Sequence, residues 1–161
     1  MRLEPLCHLT MRYLDGTWLA PYGEVEAAGF GSGDGEVSGA VLTGAMRWAN
    51  YPRKREDGVW TPNLRGVIRT DDGADLIFSM HGQSVTESTE VGLRRAIFLR
   101  MELLSEHDTY RWLNTSFVIA EGEIDEETEE IVMDAFVCVN ELVRHTPALG
   151  DVPPDQFRQG E

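Results

Sequence analysis

One histidine, one arginine and two small polar residues form the set of side chains best suited to acid–base chemistry. These residues are Asn63, Arg65, Ser79 and His81, and they lie on two extended runs joined by residues 71–73. A histidine titrates near neutral pH and can act as a general base, while an arginine can hold a carboxylate or an enolate oxygen. The set therefore predicts His81 and Arg65 as catalytic residues, with the other two as ligand-binding partners.

A β-hairpin would bring these four side chains together. If residues 71–73 form its loop, Asn63 lies opposite His81. The same register sets Gly66 opposite Phe78, as expected where an aromatic ring covers a bare glycine across a strand pair. One face of the hairpin is then polar and the other apolar. If the polar face lines the interior of a closed sheet, the four side chains form a site. If the apolar face lines the interior, they are solvated surface.

A second set of candidates combines aromatic rings with side-chain amides. Trp48 and Asn50 are two residues apart, and so are Trp112 and Asn114, with Tyr110 close by. Residues two apart on a strand share a face, so each pair would offer a ring for stacking and an amide for hydrogen bonding. Core packing accounts equally well for the tryptophans but less well for the asparagines, because a buried amide needs partners. The five residues are predicted to bind a ligand.

Alternating apolar and polar residues indicate that strands position both sets. About eight extended runs are separated by turn signals, one of them at Asp15-Gly16. The glycine-rich residues 29–35 are predicted to form a flexible loop, and the polar residues 83–92 a mobile one. Residues 93–105 alternate as a strand does, although a helical stripe also fits them.

Two further segments bear on the fold class. Residues 36–50 read as one extended run interrupted by Gly39 and Gly44, and glycines inside strands are typical of the bends by which a sheet curls into a barrel. Residues 129–143 fit either a helix or a strand. The pattern predicts an all-β protein, either a barrel or a sandwich, with the glycines favouring the barrel.

Length and charge limit the classes of function. At 161 residues the chain has the size of one domain, here predicted as residues 1–145 followed by a tail at 146–161. Its 28 acidic and 14 basic residues give a net charge of −14, which disfavours nucleic acid and anionic membranes as partners. Only two cysteines, without metal-type spacing, together with no signal-like N-terminus and no long apolar run predict a cytoplasmic protein.

The sequence motifs do not indicate a metal site or a cofactor site. The four histidines are far apart and have no metal-type spacing, and the glycine-rich stretch lacks the Gly-Lys-Ser/Thr of a phosphate-binding loop. No Gly-x-Ser-x-Gly nucleophile elbow occurs. We expect no cofactor and no metal.

Several short motifs together resemble a bacterial family known as domain of unknown function 3237. They are Ser32-Gly-Asp-Gly-Glu-Val-Ser-Gly-Ala-Val-Leu-Thr-Gly44, Arg47-Trp-Ala-Asn50, Asp57-Gly58, Arg65, Thr70-Asp-Asp-Gly-Ala74 and Tyr110-Arg-Trp-Leu-Asn114. The resemblance spans about residues 6–140 and implies a single closed antiparallel β-barrel of about eight strands, similar to the calycins and lipocalins, with a possible homodimer. It also implies that residues 129–140 form the last strand. Arg47 and Asn63 stand where many relatives carry acidic residues, and the family implies no particular reaction.

These observations predict a barrel that binds a small, largely apolar, aromatic or polyketide-like molecule. The leading hypothesis is a cofactor-independent enzyme, of isomerase, cyclase, lyase or hydrolase type, which uses acid–base chemistry in a dry interior. The alternative is a non-catalytic carrier of a small hydrophobic ligand. A third class, a structural protein with a packed barrel, would have no cavity.

Overall fold

The computed structural model describes residues 1–90 and 92–142, and these residues form an antiparallel all-β structure, as predicted. The strands are Arg2–Trp18 (β1), Ala27–Ser38 (β2), Gly44–Asn50 (β3), Arg53–Lys54 (β4), Trp60–Thr61 (β5), Asn63–Thr70 (β6), Asp75–Thr89 (β7), Gly92–Leu104 (β8), Val118–Asp125 (β9) and Ile131–Val139 (β10). One 3-10 helix, Arg111–Thr115, lies between β8 and β9. The predicted tail at 146–161 lies outside the described residues.

Eight long strands pair in a closed ring. Their order is β1-β10-β9-β8-β7-β6-β3-β2, and β2 pairs again with β1. At one end of the ring, called the upper end here, the short strands β4 and β5 take the place of β3 and β6 between β2 and β7. The opposite, lower end carries the turn between β6 and β7. The ring therefore has two different ends.

The central hairpin, β6 and β7, has the predicted register. Asn63 pairs with His81, Gly66 with Phe78 and Arg69 with Asp75. Its apolar face points into the ring, where its side chains join a continuous buried core. Burial of this core is the main force that holds the ring together.

The glycine-rich segment is a strand, so the prediction of a flexible loop for residues 29–35 was wrong. Gly29, Gly31 and Gly33 alternate along β2 and lie beneath aromatic rings. A Cβ atom on Gly33 would lie only 2.5 Å from the Trp48 ring. The bare glycines make room for large rings inside the ring of strands.

Three other boundaries differ from the predictions. No turn occurs at Asp15-Gly16, because β1 continues to Trp18 with only a shift of register near Tyr13. Residues 36–50 are divided between β2 and β3, since pairing stops from residue 39 to 43. Residues 83–89 extend β7, so most of the predicted mobile loop is a long hairpin with β8.

The two ambiguous segments are both strands. Residues 93–105 lie almost entirely in β8, and β10 covers most of residues 129–140, as the family resemblance implied. Cys7 in β1 and Cys138 in β10 are both free thiols. Burial, with the nearby Asp134 carboxylate, raises the pKa of Cys7 to about 12, so this thiol stays protonated. Within the described residues no helix has the length and apolar character of a membrane span.

The segment between β8 and β9 covers the lower end of the ring. Tyr110 and Leu113 from this segment are buried in the core. The Tyr110 hydroxyl lies 3.1 Å from both carboxylate oxygens of Asp72, in the turn between β6 and β7. Asp72 also accepts a hydrogen bond from the Thr70 hydroxyl. These bonds attach the lower segment to the hairpin turn.

The hydrogen bonds at Asp72 predict a pH-dependent contribution to stability. The bond from Thr70, assisted by the one from Tyr110, holds the pKa of Asp72 below its usual value. A carboxylate with a lowered pKa stabilises the folded state above its unfolded pKa of about 3.9 and loses that effect as the pH falls through the folded value. We expect Asp72→Asn to lower the free energy of unfolding at neutral pH, and the deficit to shrink towards pH ~3.

Urea denaturation of both proteins across this pH range measures the effect. Asp71→Asn is the matched control, because its carboxylate lies next in the chain but accepts none of these bonds. A deficit for Asp72→Asn that is equal at all pH values would show that charge at this position is not the cause.

Candidate functional site

The predicted catalytic pair lies on the outer surface. Arg65 and His81 are exposed, and Asn63 and Ser79 lie beside them on the same outer face of the hairpin. The Ser79 hydroxyl donates to Glu102 at 3.2 Å, which is a surface contact. An interior location for this set is therefore wrong, because apolar side chains of the opposite face fill the ring.

The two tryptophan–asparagine pairs lie at opposite ends of the ring. Trp48 is buried and donates from Nε1 to the carbonyl of Asp34 at 2.9 Å, while Asn50 follows it at the upper end. Trp112 is half-buried at the lower end, close to the core. Asn114 accepts a hydrogen bond from the backbone N–H of Ser105 at 2.8 Å and donates to its carbonyl at 3.0 Å. The second pair lies in a 3-10 helix, so the shared strand face assumed for it does not exist.

A small cavity lies inside the upper end of the ring. Its polar lining comes from Tyr13, Asn50, Ser84 and Arg95, and its volume is about 10 Å³. That volume is about the space of one water molecule. We call this feature the upper cavity. Among the predicted site residues, only Asn50 lines it.

Asn50 and Tyr13 form a fixed polar pair in the upper cavity. The side-chain amide of Asn50 donates to the Tyr13 hydroxyl oxygen at 2.8 Å and accepts from the backbone N–H of Asn63 at 2.9 Å. Burial raises the pKa of Tyr13, although the Asn50 bond and the Arg95 charge oppose it. The phenol is therefore neutral at physiological pH, and its own proton is available to an acceptor.

Ser84 and Arg95 bring hydrogen-bond donors that the protein leaves unused. Ser84 is 0% exposed, and its Oγ has no hydrogen-bond partner among the described residues. The Arg95 side chain is 15% exposed and lies next to Glu126, with 3.1 Å between Nε and the carboxylate oxygen. This contact lacks hydrogen-bond geometry, so Nε is also an unsatisfied buried donor. Such groups are rare in native structures, and each calls for a partner such as a water, an ion or a ligand.

Aromatic rings enclose the polar groups of the upper cavity. The Trp18 and Trp60 rings pack edge to face with centroids 6.3 Å apart, and Tyr13 lies 5.5 Å from the Trp18 ring. The Arg95 guanidinium carbon lies 5.4 Å from the Trp60 centroid, which is cation–π distance. Trp18 is 42% exposed and lies over Gly29, so this ring separates the cavity from solvent.

Sequence reasoning missed the main residues of this cavity. Ser84 shares a strand face with the buried Met80 in β7, and Arg95 shares one with the buried Ile97 in β8. Strand alternation alone therefore indicates that both side chains point into the ring. For Ser84 this signal was hidden because the polar composition of residues 83–92 predicts a loop. No group of three or more His, Cys, Asp or Glu side chains suited to a metal occurs in the described part of the chain.

Comparison with known proteins gives structural relatives only. No family model and no curated protein matches the chain. A β-barrel-like protein from Acinetobacter baumannii is 17% identical, with a TM-score of 0.74 over 84% of this chain and 94% of that one. A protein of unknown function from Clostridium acetobutylicum is 15% identical, with a TM-score of 0.73 over 84% of this chain and 97% of that one.

An enzyme from Penicillium herquei has the same fold. It is 14% identical, with a TM-score of 0.64 over 84% of this chain and 92% of that one. Identities this low establish a common fold and carry no ligand or reaction from one protein to another. The chain is thus an all-β protein that shares its fold with β-barrel-like proteins.

Proposed function

We propose that this protein binds a small, planar, oxygenated aromatic molecule in the upper cavity. The observation that carries the proposal is the Ser84 hydroxyl, which is completely buried and has no partner among the described residues. An unsatisfied buried polar group costs about 1–3 kcal/mol. A ligand oxygen at this point would accept from Ser84 and offset that cost.

The other polar groups support the same class of ligand. Tyr13 has a free phenolic proton, and Arg95 has an unsatisfied N–H. All three groups are donors, so the ligand should carry acceptors such as a carbonyl, phenolate or carboxylate oxygen. The Trp60 ring, on which Trp18 now packs, supplies the flat apolar surface against which an aromatic ligand would lie.

Binding requires the upper end to open. A cavity of about 10 Å³ holds no aromatic molecule, so a ring in its wall must move. Trp18 is the candidate, because it is partly exposed and its neighbour Gly29 has no side chain to hold it. We propose that the ligand displaces the Trp18 ring and takes its place beside Trp60.

Catalysis is the second candidate function, and the state of Tyr13 favours it. A neutral phenol and an arginine directed at one ligand oxygen can stabilise negative charge that forms there, as isomerisation, cyclisation or hydrolysis of a carbonyl compound requires. The described residues that line the upper cavity include no carboxylate and no histidine. The donor set therefore supports binding more strongly than turnover, and a non-catalytic carrier has the same geometry.

Replacement of Ser84 tests the proposal because stability and binding should change in opposite directions. Ser84→Ala removes the unsatisfied hydroxyl, so we expect the free energy of unfolding of the ligand-free protein to rise by about 1 kcal/mol. Affinity for the ligand should fall about tenfold, since one hydrogen bond is lost. Urea denaturation measures the first effect. Calorimetric titration with salicylate, 1-hydroxy-2-naphthoate and the neutral 2-acetyl-1-naphthol measures the second.

Ser79→Ala is the matched control for this experiment. Ser79 lies on the same strand but on the outer face, so its replacement should leave both quantities nearly unchanged. Loss of stability in Ser84→Ala would mean that the hydroxyl has a partner within the protein. Unchanged affinity in Ser84→Ala would exclude it from the ligand site.

We also propose that the ring of strands is a calycin-type closed β-barrel and that the chain belongs to the family it resembles. The antiparallel pairing around eight strands and the likeness to a β-barrel-like protein support this assignment. A homodimer and a cytoplasmic location remain predictions. Light scattering on the purified protein decides the first.

A further inference from the structure

The wall of the ring is interrupted near the upper end, and this creates a groove on its outer surface. Strands β3 and β6 end where β4 and β5 take over, and the chain crosses the junction at Pro52 and Pro62. A proline has no N–H to give to a strand ladder, so neither residue can donate a backbone hydrogen bond there, although the Pro52 carbonyl accepts one from Gly29 at 3.0 Å. The groove at this junction has a volume of about 600 Å³, within the range of ligand sites. Both prolines also line the upper cavity on the inner side.

Two side chains that can bind an anion, and that have no partner among the described residues, line this outer groove. The Arg53 and His81 side chains both face it, and neither forms an ion pair or hydrogen bond with another described residue. Arg65 follows on the same outer face of β6 and is likewise exposed and unpaired. In a chain with 28 acidic and 14 basic residues, two arginines without an acidic partner among the described residues are unexpected unless they bind something negative.

The groove also contains a buried polar atom with no partner. Asn63 lines the groove, and its Oδ1 has no hydrogen-bond partner among the described residues although it is inaccessible to solvent. The two ends of an amide are interchangeable by rotation, so either C=O or NH₂ can be presented to a ligand. Next to it, Tyr51 is 58% exposed and packs on Phe30 with ring centroids 4.8 Å apart. This pair forms an aromatic wall.

We propose that the outer groove is a second ligand site, specific for a small aromatic carboxylate. Arg53 and His81 bind the carboxylate, the Asn63 amide bonds to a polar substituent, and the ligand ring lies against Tyr51. This site is separate from the upper cavity, since Arg53 and His81 lie outside the ring and Arg95 inside it. It gives His81 a binding role on the outer surface.

Calorimetric titration with isophthalate, which carries two carboxylates on one ring, tests the second site. We expect saturable binding to the wild-type protein, weakened about tenfold in Arg53→Gln and several-fold in His81→Gln, because each variant loses a charge-assisted hydrogen bond. The uncharged diamide isophthalamide should not bind. Amide resonances of Asn63 and Gly82 should shift during an NMR titration of the wild-type protein.

Two control variants show whether binding is confined to the outer groove. Arg47→Gln removes an exposed arginine from the outer face of β3, away from the groove, and should leave the affinity unchanged. Arg95→Met should also bind isophthalate normally, so failure of the upper-cavity proposal and failure of this one give different results. The absence of saturable binding, equal affinity in Arg53→Gln, or an equal loss in Arg47→Gln would each overturn the second site.

Discussion

Replacement of Arg95 by methionine should weaken ligand binding in the upper cavity by about 100-fold. The guanidinium is mostly buried, and it is the only cationic group of the described residues that lines this cavity. A hydrogen bond to a charged group contributes about 1.5–3 kcal/mol, and the guanidinium can form two such bonds with one ligand oxygen pair. Methionine retains the apolar stem and contact with the Trp60 ring, so the fold should survive.

Calorimetric titration of Arg95→Met with the same three aromatic compounds measures this effect. Arg94→Met is the matched control, because the Arg94 guanidinium lies 3.0 Å from Asp125 and does not line the cavity. Equal affinity of the wild-type protein and Arg95→Met for all three compounds, including the neutral 2-acetyl-1-naphthol that lacks the carboxylate required by the outer groove, would exclude the upper cavity as the binding site. A thermal melt of each variant confirms that loss of binding is not loss of fold.

Replacement of Gly66 by alanine should cost about 3 kcal/mol of stability. A Cβ atom at this position would lie 2.1 Å from the carbonyl oxygen of Arg47 and 2.7 Å from the Phe78 ring. The first contact is with the backbone of β3, which cannot move without disturbing its pairing with β6. The variant therefore strains the ring of strands where three of them meet.

Gly58→Ala separates this clash from the general effect of adding a methyl group. Gly58 has a φ of 84°, and no atom lies within 4 Å of its added Cβ. The only cost is the left-handed backbone conformation, about 1 kcal/mol. Urea denaturation of both variants should show a clearly larger loss for Gly66→Ala. Equal losses would mean that β3, β6 and β7 do not pack as described.

The central hairpin could be predicted from the sequence because local signals agree there. Asp71-Asp72-Gly73 gives the turn, and Gly73 has the positive φ, 89°, that the loop requires. Apolar and polar residues largely alternate on both sides of it, so a single register buries Leu64, Ile68, Leu76, Phe78 and Met80 on one face, with only Val67 and Ile77 left on the outer face. Local chemistry and burial select the same pairing, which is why the register was predicted correctly.

The glycine-rich strand could not be recognised by its composition, because glycine has no side chain to show a hydrophobic face. Its signal is the spacing of Gly29, Gly31, Gly33 and Gly35, which repeat every two residues as strand positions do. The purpose of the first three depends on Tyr13, Trp18 and Trp48, which come from other strands. Such tertiary contacts are not visible in a local pattern.

The site was missed for a related reason. His81 and Arg65 were selected by residue type, yet their orientation depends on which hairpin face the ring encloses. Ser84 lies within residues 83–92, whose polar composition predicts a loop, while Arg95 lies in a predicted strand but nothing in the local pattern marks it as a site residue. They become conspicuous only when burial is known, because an unsatisfied donor is defined by its surroundings.

A crystal structure of the protein with the tightest-binding of the three aromatic compounds tests the upper cavity most directly. We expect a ligand oxygen within hydrogen-bonding distance of Ser84 Oγ and the Arg95 guanidinium, and the Trp18 ring displaced from Gly29. A ligand bound only on the outer surface, with Trp18 still over Gly29 and the upper cavity closed, would contradict the proposed function.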